Sequence, residues 1–539
     1  MKLNASSVYT DNTWKEKGYF VPSFDRDKMI AETKKNPQWV HFGAGNIFRA
    51  FQANLSQRML EEGSAVQGLT VVEGFDYEII EKMYRPHDNL SLLVTLKADG
   101  SVEKSVISSI AESCILDSDR PEEFDRLKEI FSADSLQLAT FTITEKGYSL
   151  VNAKGETLPA VEEDFANGPA KPKSYIGKVT ALLYARFKAG EKKIAMVSTD
   201  NCSHNGDKLF AAVEAFAKAW KENGKAEAGF LSYIKDESKV SFPWSMIDKI
   251  TPRPDDSVNE ILKKDGVEEL EPVVTSMKTW VAPFVNAEES EYLVIEDKFP
   301  NGRPALEKVG VIFTDKETVD KVERMKVCTC LNPLHTALAV YGCVLGFEKI
   351  SDEMKDKELH ALVEKIGYVE GLPVVTDPGV IKPSEFIDTV VNVRIPNVFM
   401  PDTPQRIATD TSQKLGIRFG ETIKAYMASS ELDVKELNFI PLVHAGWLRY
   451  LMGVNDNGEA FEPSPDPRLD SSRAFVKNIA LGETDEAKVR AEVMPLLKDK
   501  SIFAVDLEEA GLSDKIIGYF MELIAGIGAV RKTLQKYCD

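Results

Sequence analysis

Short apolar runs, several of them apolar enough to be buried on both faces, recur through the first half of the chain, and they admit few folds. "WVHFGAG", "GLTVVEGF", "SLLVTL", "LQLATFTITEKGY" and "KIAMVSTDN" read as strands. A strand buried on both faces belongs inside a parallel sheet covered by helices above and below. Between the first two runs, "FRAFQANLSQRMLEEG" reads as a helix with Phe51, Leu55 and Leu60 on roughly one side. Strand, helix, strand is the start of an α/β sheet.

From about residue 315 the texture changes. "KETVDKVERMKVCTCLNPLHTALAVYGCVLGF", "DEMKDKELHALVEKIG", "QKLGIRFGETIKAYMAS", "DEAKVRAEVMPLLKD" and "DKIIGYFMELIAGIGAVRKTLQKY" read as helices. A chain of 539 residues is long enough for two or more domains. The connector "EDKFPNGRPALEKVG", with its Pro and Gly, is a reasonable boundary. The expectation is an α/β, Rossmann-like nucleotide-binding domain over 1–300 and a mainly α-helical substrate and catalytic domain over 301–539.

The net charge of −19 argues against nucleic acid or an anionic membrane as partner. An anionic substrate would need a local basic pocket. Cys114, Cys202, Cys328, Cys330, Cys343 and Cys538 are scattered, and the single C-x-C lacks a second pair at zinc spacing. They read as reduced thiols, with no metal expected. The opening "MKLNASSVYT" has no apolar core of a secretory signal, and the longest apolar run is too interrupted to span a bilayer, so a cytoplasmic protein is expected.

"HFGAGNIFRA" places Gly43-x-Gly45 where the first strand turns into the first helix, the position of a dinucleotide-binding turn. Gly43 permits the turn and Gly45 lets a pyrophosphate approach the backbone. The third glycine of the full fingerprint is replaced by Phe48, and glycine turns also follow strands that bind nothing. Asn46, Phe48 and Arg49 complete the candidate turn. Arg49 could touch a phosphate or be a surface helix residue. At the end of the second strand, Glu73 or Asp76 could hold the ribose hydroxyls, which favours NAD over NADP; either could equally be a solvated loop acid.

"VSTDNCSHNG" runs from a strand into a polar loop with Asp200, Asn201, His204 and Asn205 at the carboxyl end, where open α/β sheets bind ligands. Asn201 could offer an amide to a developing oxyanion, or the loop could be a tight Asx turn. Asp248, in "FPWSMIDKITPRP", is a partly buried acid that is either structural or grips a substrate hydroxyl. "MKVCTCLNPLH" puts Lys326, Asn332 and His335 in an apolar helix. A desolvated lysine can work as a base near neutral pH, although a lone helical lysine more often snorkels to the surface.

Together these motifs resemble the long-chain mannitol dehydrogenase family of polyol and sugar-acid dehydrogenases. The likeness runs through "TITEKGY", "STDNCSHNG", "FPWSMIDKITP", "VIEDKFPNGRPALEKVGV", "RIATDTSQK" and "WLRYLMGVNDNG". The resemblance implies a nucleotide-binding domain, a helical domain and an active site between them. It also implies metal-independent chemistry on a small-molecule substrate. Lys326 would be the general acid/base, Asn201 and Asn332 the oxyanion pair, and Glu323 a proton relay. His335, Asp248, Arg406 and Lys414 would bind substrate.

The family's substrate pairs include mannitol with fructose, fructuronate with mannonate, and tagaturonate with altronate. The overall look of the motifs leans to the fructuronate/mannonate pair. A sugar acid needs a cationic receptor; Arg394, Arg406, Lys414 and Arg449 are candidates. One departure stands out: the family spaces its lysine and asparagine five apart, whereas Lys326 and Asn332 are six apart. On an ideal helix the extra residue rotates one group by roughly 100° against the other. A π-bulge beside Pro333 would absorb it, and a displaced lysine with an altered mechanism is the alternative; the bulge is favoured because "ERMK" keeps Glu323 and Lys326 in their family relation. A chain that binds nucleotide and sugar acid without turnover is the competing reading. Oligomeric state is not readable.

Overall fold

The computed structural model describes residues 1–538. Two compact units divide it: Met1–Leu96 with Ser101–Asp320, and Lys97–Gly100 with Lys321–Asp539.

The first unit is built on a six-stranded sheet of β1 (Trp39–Phe42), β2 (Leu69–Glu73), β3 (Ile110–Ile115), β4 (Leu138–Phe141), β5 (Ile194–Ser198) and β6 (Val240–Ser241). The spatial order is β3-β2-β1-β4-β5-β6, and every pair is parallel. This is the doubly wound dinucleotide-binding order, which reverses between β1 and β4. Every residue of β1, β2, β4 and β5 is buried. Successive side chains point to opposite faces. Val40 and Phe42 enter one core with Leu127, Leu182 and Phe216, while Trp39 enters the other with Phe48, Phe51 and Leu55.

His41 is the polar exception in β1. Its ring nitrogens bond Thr140 Oγ1 (2.7 Å) and Thr142 Oγ1 (2.9 Å), and burial pulls the imidazole down to about 3, so it is neutral at ordinary pH.

The apolar run Ser91–Leu96 is a strand, but of another sheet. It pairs antiparallel with Val102–Ile107 and parallel with Phe284–Glu288. The parallel strand next to β2 is instead β3, which carries Glu112 and Ser113. The Pro- and Gly-bearing connector near 300 lies within the first unit, between Tyr292–Glu296 and Ile312–Thr314, two strands that pair with each other.

The second unit is helical. Its longest apolar stretch runs through α4 (Lys316–Met325), which begins in the first unit, and on to α5 (Asn332–Leu345), with a π-turn at Lys326–Cys330 between them. That stretch has the length and composition of a membrane span, yet most of it is buried inside the protein, as a core helix would be. The terminal segment expected as a single helix is two, Ser513–Leu523 and Ala529–Cys538. Gly526 and Gly528 between them take φ of +149° and +75°. The six cysteines are thiols rather than disulfides.

Glu353 is fully buried beside Gly342 of α5, where a Cβ would sit 2.0 Å from its Oε1. Neither of its carboxyl oxygens has a hydrogen-bond partner, and burial holds the group well above its usual range. The unfolded chain releases this proton near the ordinary glutamate value while the folded chain keeps it. Stability therefore falls as pH rises from about 4.3 toward the folded value. Glu353→Gln is expected to flatten that slope. Urea midpoints at pH 5 and pH 8 should converge in the variant; an unchanged difference would remove Glu353 as its source.

Candidate functional site

In the first unit the candidate residues gather at the carboxyl ends of the strands. Gly43 follows β1 with φ +107°, and a Cβ there would lie 2.1 Å from the carbonyl oxygen of Thr142, which follows β4. Only glycine allows the two chain ends to meet so closely at the point where the sheet order reverses. Gly45 differs. A Cβ there would meet nothing within 4 Å, so no packing contact demands glycine. It stands immediately before α1 (Asn46–Ala50), whose N-terminus has no side-chain cap.

Glu73 ends β2, as expected. Its Oε2 accepts from Ala44 N (2.9 Å) and its Oε1 from Phe75 N (2.8 Å) and Asp76 N (3.1 Å). Burial pushes this carboxyl up and the three amides pull against it. Glu73 is thus a brace of the glycine turn. Asp76 is buried too: its Oδ2 accepts from Thr275 Oγ1 (2.6 Å), while Oδ1 has no partner.

Two expectations for this turn are corrected. Arg49 is neither on the surface nor open to a phosphate. It is 1 % exposed, and its guanidinium donates to Ala282 O (2.7 Å), Ser91 Oγ (3.3 Å) and Asn46 Oδ1 (2.9 Å). It ties α1 to the second sheet and occupies the Asn46 side chain. Phe48 is fully buried, its ring stacked on His41 at 4.4 Å, and so lies out of reach of a cofactor.

Beyond β5, Asp200 anchors the loop that follows β4. Its carboxylate accepts from Ile143 N (3.0 Å), Thr144 N (2.8 Å) and Tyr148 Oη (2.5 Å). Thr144 has φ +64°, strained for a β-branched residue and held there by Asp200. Burial pushes the Asp200 carboxyl up, and Tyr148 and the two amides oppose it. Asn201, the next residue, is exposed. Asn205 is fully buried and bridges Asp200 O and Ser245 with four bonds of 3.0 Å. Ser245 opens β7 (Ser245–Asp248), whose last residue is the buried Asp248. One asparagine therefore sets the Asn201 loop against the strand bearing Asp248.

In the second unit, Lys326 is the first residue of the π-turn and is 3 % exposed. Leu331 N bonds Lys326 O at 3.1 Å, a five-residue closure that takes in one residue more than an α-turn. The bulge expected from the six-residue spacing is present. Asn332 and His335, both half-buried, open α5, and Glu323 is half-buried in the last turn of α4.

The expected cationic residues separate. Arg406 is largely exposed and paired with Asp402. Lys414 Nζ donates to the carbonyls of Thr409 and Ile407. Arg394 is buried in the π-turn Val390–Arg394. Arg449 is corrected outright as a carboxylate receptor, because its guanidinium is spent on the carbonyls of Leu523, Val454 and Asn455. Missed altogether was Arg418, which bonds Thr336 of α5. Its position in "GIRFGE" carries no local signal of that contact. Among the described residues no cluster of three or more His, Cys, Asp or Glu side chains could hold a metal ion.

Comparison with known proteins places these features. The model of the mannitol dehydrogenase Rossmann domain matches residues 37–308, and that of the mannitol dehydrogenase C-terminal domain matches 318–523. A D-mannonate oxidoreductase of Thermotoga maritima is 52% identical over 538 residues, 99% of each chain. The D-mannonate oxidoreductase of Escherichia coli is 28% identical, covering 96% of this chain and 95% of its own. The solved Pseudomonas fluorescens mannitol 2-dehydrogenase, a ternary complex with NAD and D-mannitol, is 26% identical over 99% of both chains with TM-score 0.67. A substrate-free D-sorbitol dehydrogenase, 23% identical over 100% of both chains, shares the fold with TM-score 0.79.

Proposed function

This chain belongs to the mannitol dehydrogenase family, and from that premise we propose that it interconverts D-fructuronate and D-mannonate with NADH and NAD. The observation that carries the reading is the 52% identity, over 99% of both chains, with the Thermotoga maritima protein named for mannonate.

The glycine turn fits a dinucleotide. Gly43 makes the turn, Gly45 leaves its approach open, and the sheet reverses there. Of the two acids, only Asp76 has an oxygen without a partner, so an acid-borne ribose contact falls to it rather than to Glu73. A carboxylate at this position repels a 2′-phosphate, which favours NAD. The nicotinamide, when bound, exchanges hydride with the substrate carbon.

In the reducing direction Lys326 delivers a proton to the oxygen of the ketone as it becomes an alkoxide, and in the oxidising direction it takes that proton back. The amine is buried, and the same group gives the proton in one direction and receives it in the other. The side-chain amides of Asn332 and Asn201 donate to the same oxygen. They act on charge that exists only near the transition state, where one such donor is worth about 2.7–4 kcal/mol. Glu323, one turn before Lys326, passes the proton toward solvent. His335 and Asp248 hold substrate hydroxyls. With the proton and the electrostatic stabilisation both supplied by side chains, the reaction needs no metal.

A plain polyol is the second reading, favoured by the likeness to the mannitol 2-dehydrogenase complex. The test is NADH oxidation with fructuronate, tagaturonate and fructose in parallel after EDTA treatment. Fructuronate is expected to turn over fastest with no loss to EDTA. Fructose alone turning over would replace the sugar-acid reading with the polyol one, and NADPH outpacing NADH would overturn the cofactor.

A further inference from the structure

Arg418 sits at the middle of another π-turn, Gly416–Gly420. The glycines at its two ends lie against the backbone of 502–504. A Cβ on Gly416 would come 3.0 Å from Ile502 O, and one on Gly420 would come 2.1 Å from Phe503 O. With that face packed backbone to backbone, the residue between the glycines is turned to the other side, onto α5. There Arg418 Nη1 donates to Thr336 Oγ1 (2.5 Å), and Thr336 Oγ1 donates in turn to the carbonyl of Asn332 (2.9 Å). A hydroxyl has one proton, so the direction of this chain is fixed. The guanidinium thus stands two hydrogen bonds from the backbone of Asn332 and beside the residue that follows His335.

Among the described residues this charge has no counter-ion. The second unit pairs Arg324 with Glu421, Arg406 with Asp402, Arg468 with Asp499 and Arg531 with Asp356, but among the described residues no carboxylate lies within ion-pair distance of Arg418. It is half-buried, and that burial pulls the guanidinium down to about 10 and still leaves it charged at neutral pH. Among the described residues only one of its five donors finds an acceptor. Lys414 is close enough for the two cations to repel, and that repulsion works with burial to hold the lysine below its usual range. Both cations are half-buried, and while Asp410 and Asp466 act on Lys414, no carboxylate acts on Arg418, so an anion beside it would offset the cost of its partial desolvation.

We propose that Arg418, with Lys414 behind it, receives the carboxylate of the sugar-acid substrate and so separates sugar acids from neutral polyols and ketoses. A planar guanidinium fork matches a carboxylate with two parallel hydrogen bonds, which a neutral chain-end hydroxyl cannot reproduce. This inference rests on the reading that α5 carries the reacting groups.

Steady-state kinetics with mannonate and NAD test it in Arg418→Gln and Arg418→Lys, alongside NADH titration and thermal melts. The expected result is a rise in the KM for mannonate of about 30-fold or more in Arg418→Gln, as for a lost buried charge pair. It should come with a much smaller change in kcat and unaltered NADH affinity. Arg418→Lys should recover part of the loss, because the charge remains and the fork is gone. It also serves as the reading should Arg418→Gln fold poorly. A mannonate KM within threefold of wild type in a folded variant overturns the proposal. So does a fall in kcat with KM unmoved, which marks Arg418 as a prop of α5. A wild-type enzyme inactive on every sugar acid but active on fructose sinks the underlying reading instead, whatever Arg418 does.

Discussion

In Lys326→Ala, turnover of fructuronate and of mannonate is expected to fall by about 10²–10⁴-fold, the usual contribution of a positioned acid or base. NADH affinity should stay within about twofold, since the glycine turn belongs to the other compact unit. Lys326 is 3 % exposed, so the truncation also leaves a small void, and a thermal melt must show the variant folded before its rate is read. Fluorescence titration with NADH and single-turnover absorbance at saturating cofactor separate binding from chemistry. An equal loss of NADH binding would falsify the proton-transfer role. A kcat within tenfold of wild type would pass that role to another group, with His335, three residues beyond Asn332, the next candidate.

The π-turn takes up the one residue by which the Lys326–Asn332 spacing exceeds that of the family it resembles. It closes from Leu331 N to Lys326 O, and α5 starts cleanly at Asn332 with Pro333 in its first turn, where the missing N–H costs no hydrogen bond. That feature was legible in the sequence because it is local, a count of residues between two side chains beside a proline. The sheet was legible for a similar reason. β1, β2, β4 and β5 are buried on both faces, and their composition reflects it. β3 was not, because Glu112 and Ser113 break its apolar pattern; Glu112 is tolerated there through its pairing with Arg126.

What the sequence could not reveal depends on partners far along the chain. Arg49 reads as a phosphate ligand or a surface residue because the carbonyl that captures it, that of Ala282, comes 233 residues later. Arg449 looks like a receptor until Leu523 O is brought to it. Arg418 is the reverse case, unremarkable in its own segment and aimed only by the packing of Gly416 and Gly420 on residues 502–504. Burial and counter-ions are properties of the fold. A residue's charge type can be read from sequence, but whether that charge is already spent cannot.

The two glycines of the first turn separate folding from cofactor binding, and their alanine variants should diverge. Gly43→Ala puts a Cβ 2.1 Å from Thr142 O at a φ of +107°, so either β1 and β4 part at their ends or the turn rebuilds. A left-handed non-glycine residue alone costs about 1–3 kcal/mol. A clash with backbone, which cannot rotate away as a side chain can, adds to it. Gly43→Ala is therefore expected to lower the melting temperature and to abolish measurable NADH binding together. Gly45→Ala meets nothing within 4 Å at an ordinary φ of −78°, and its melting temperature without cofactor should match wild type or rise slightly as the unfolded chain loses freedom. Its methyl group would stand where the pyrophosphate approaches the backbone, so NADH affinity should fall by about tenfold or more, a loss of about 1.4 kcal/mol or greater. Calorimetric titration with NADH and a melt of each apo variant are enough to tell the cases apart. If Gly45→Ala binds NADH as wild type does, the pyrophosphate lies elsewhere along the carboxyl ends of the strands. The strained Thr144 loop held by Asp200 is then the next place to look.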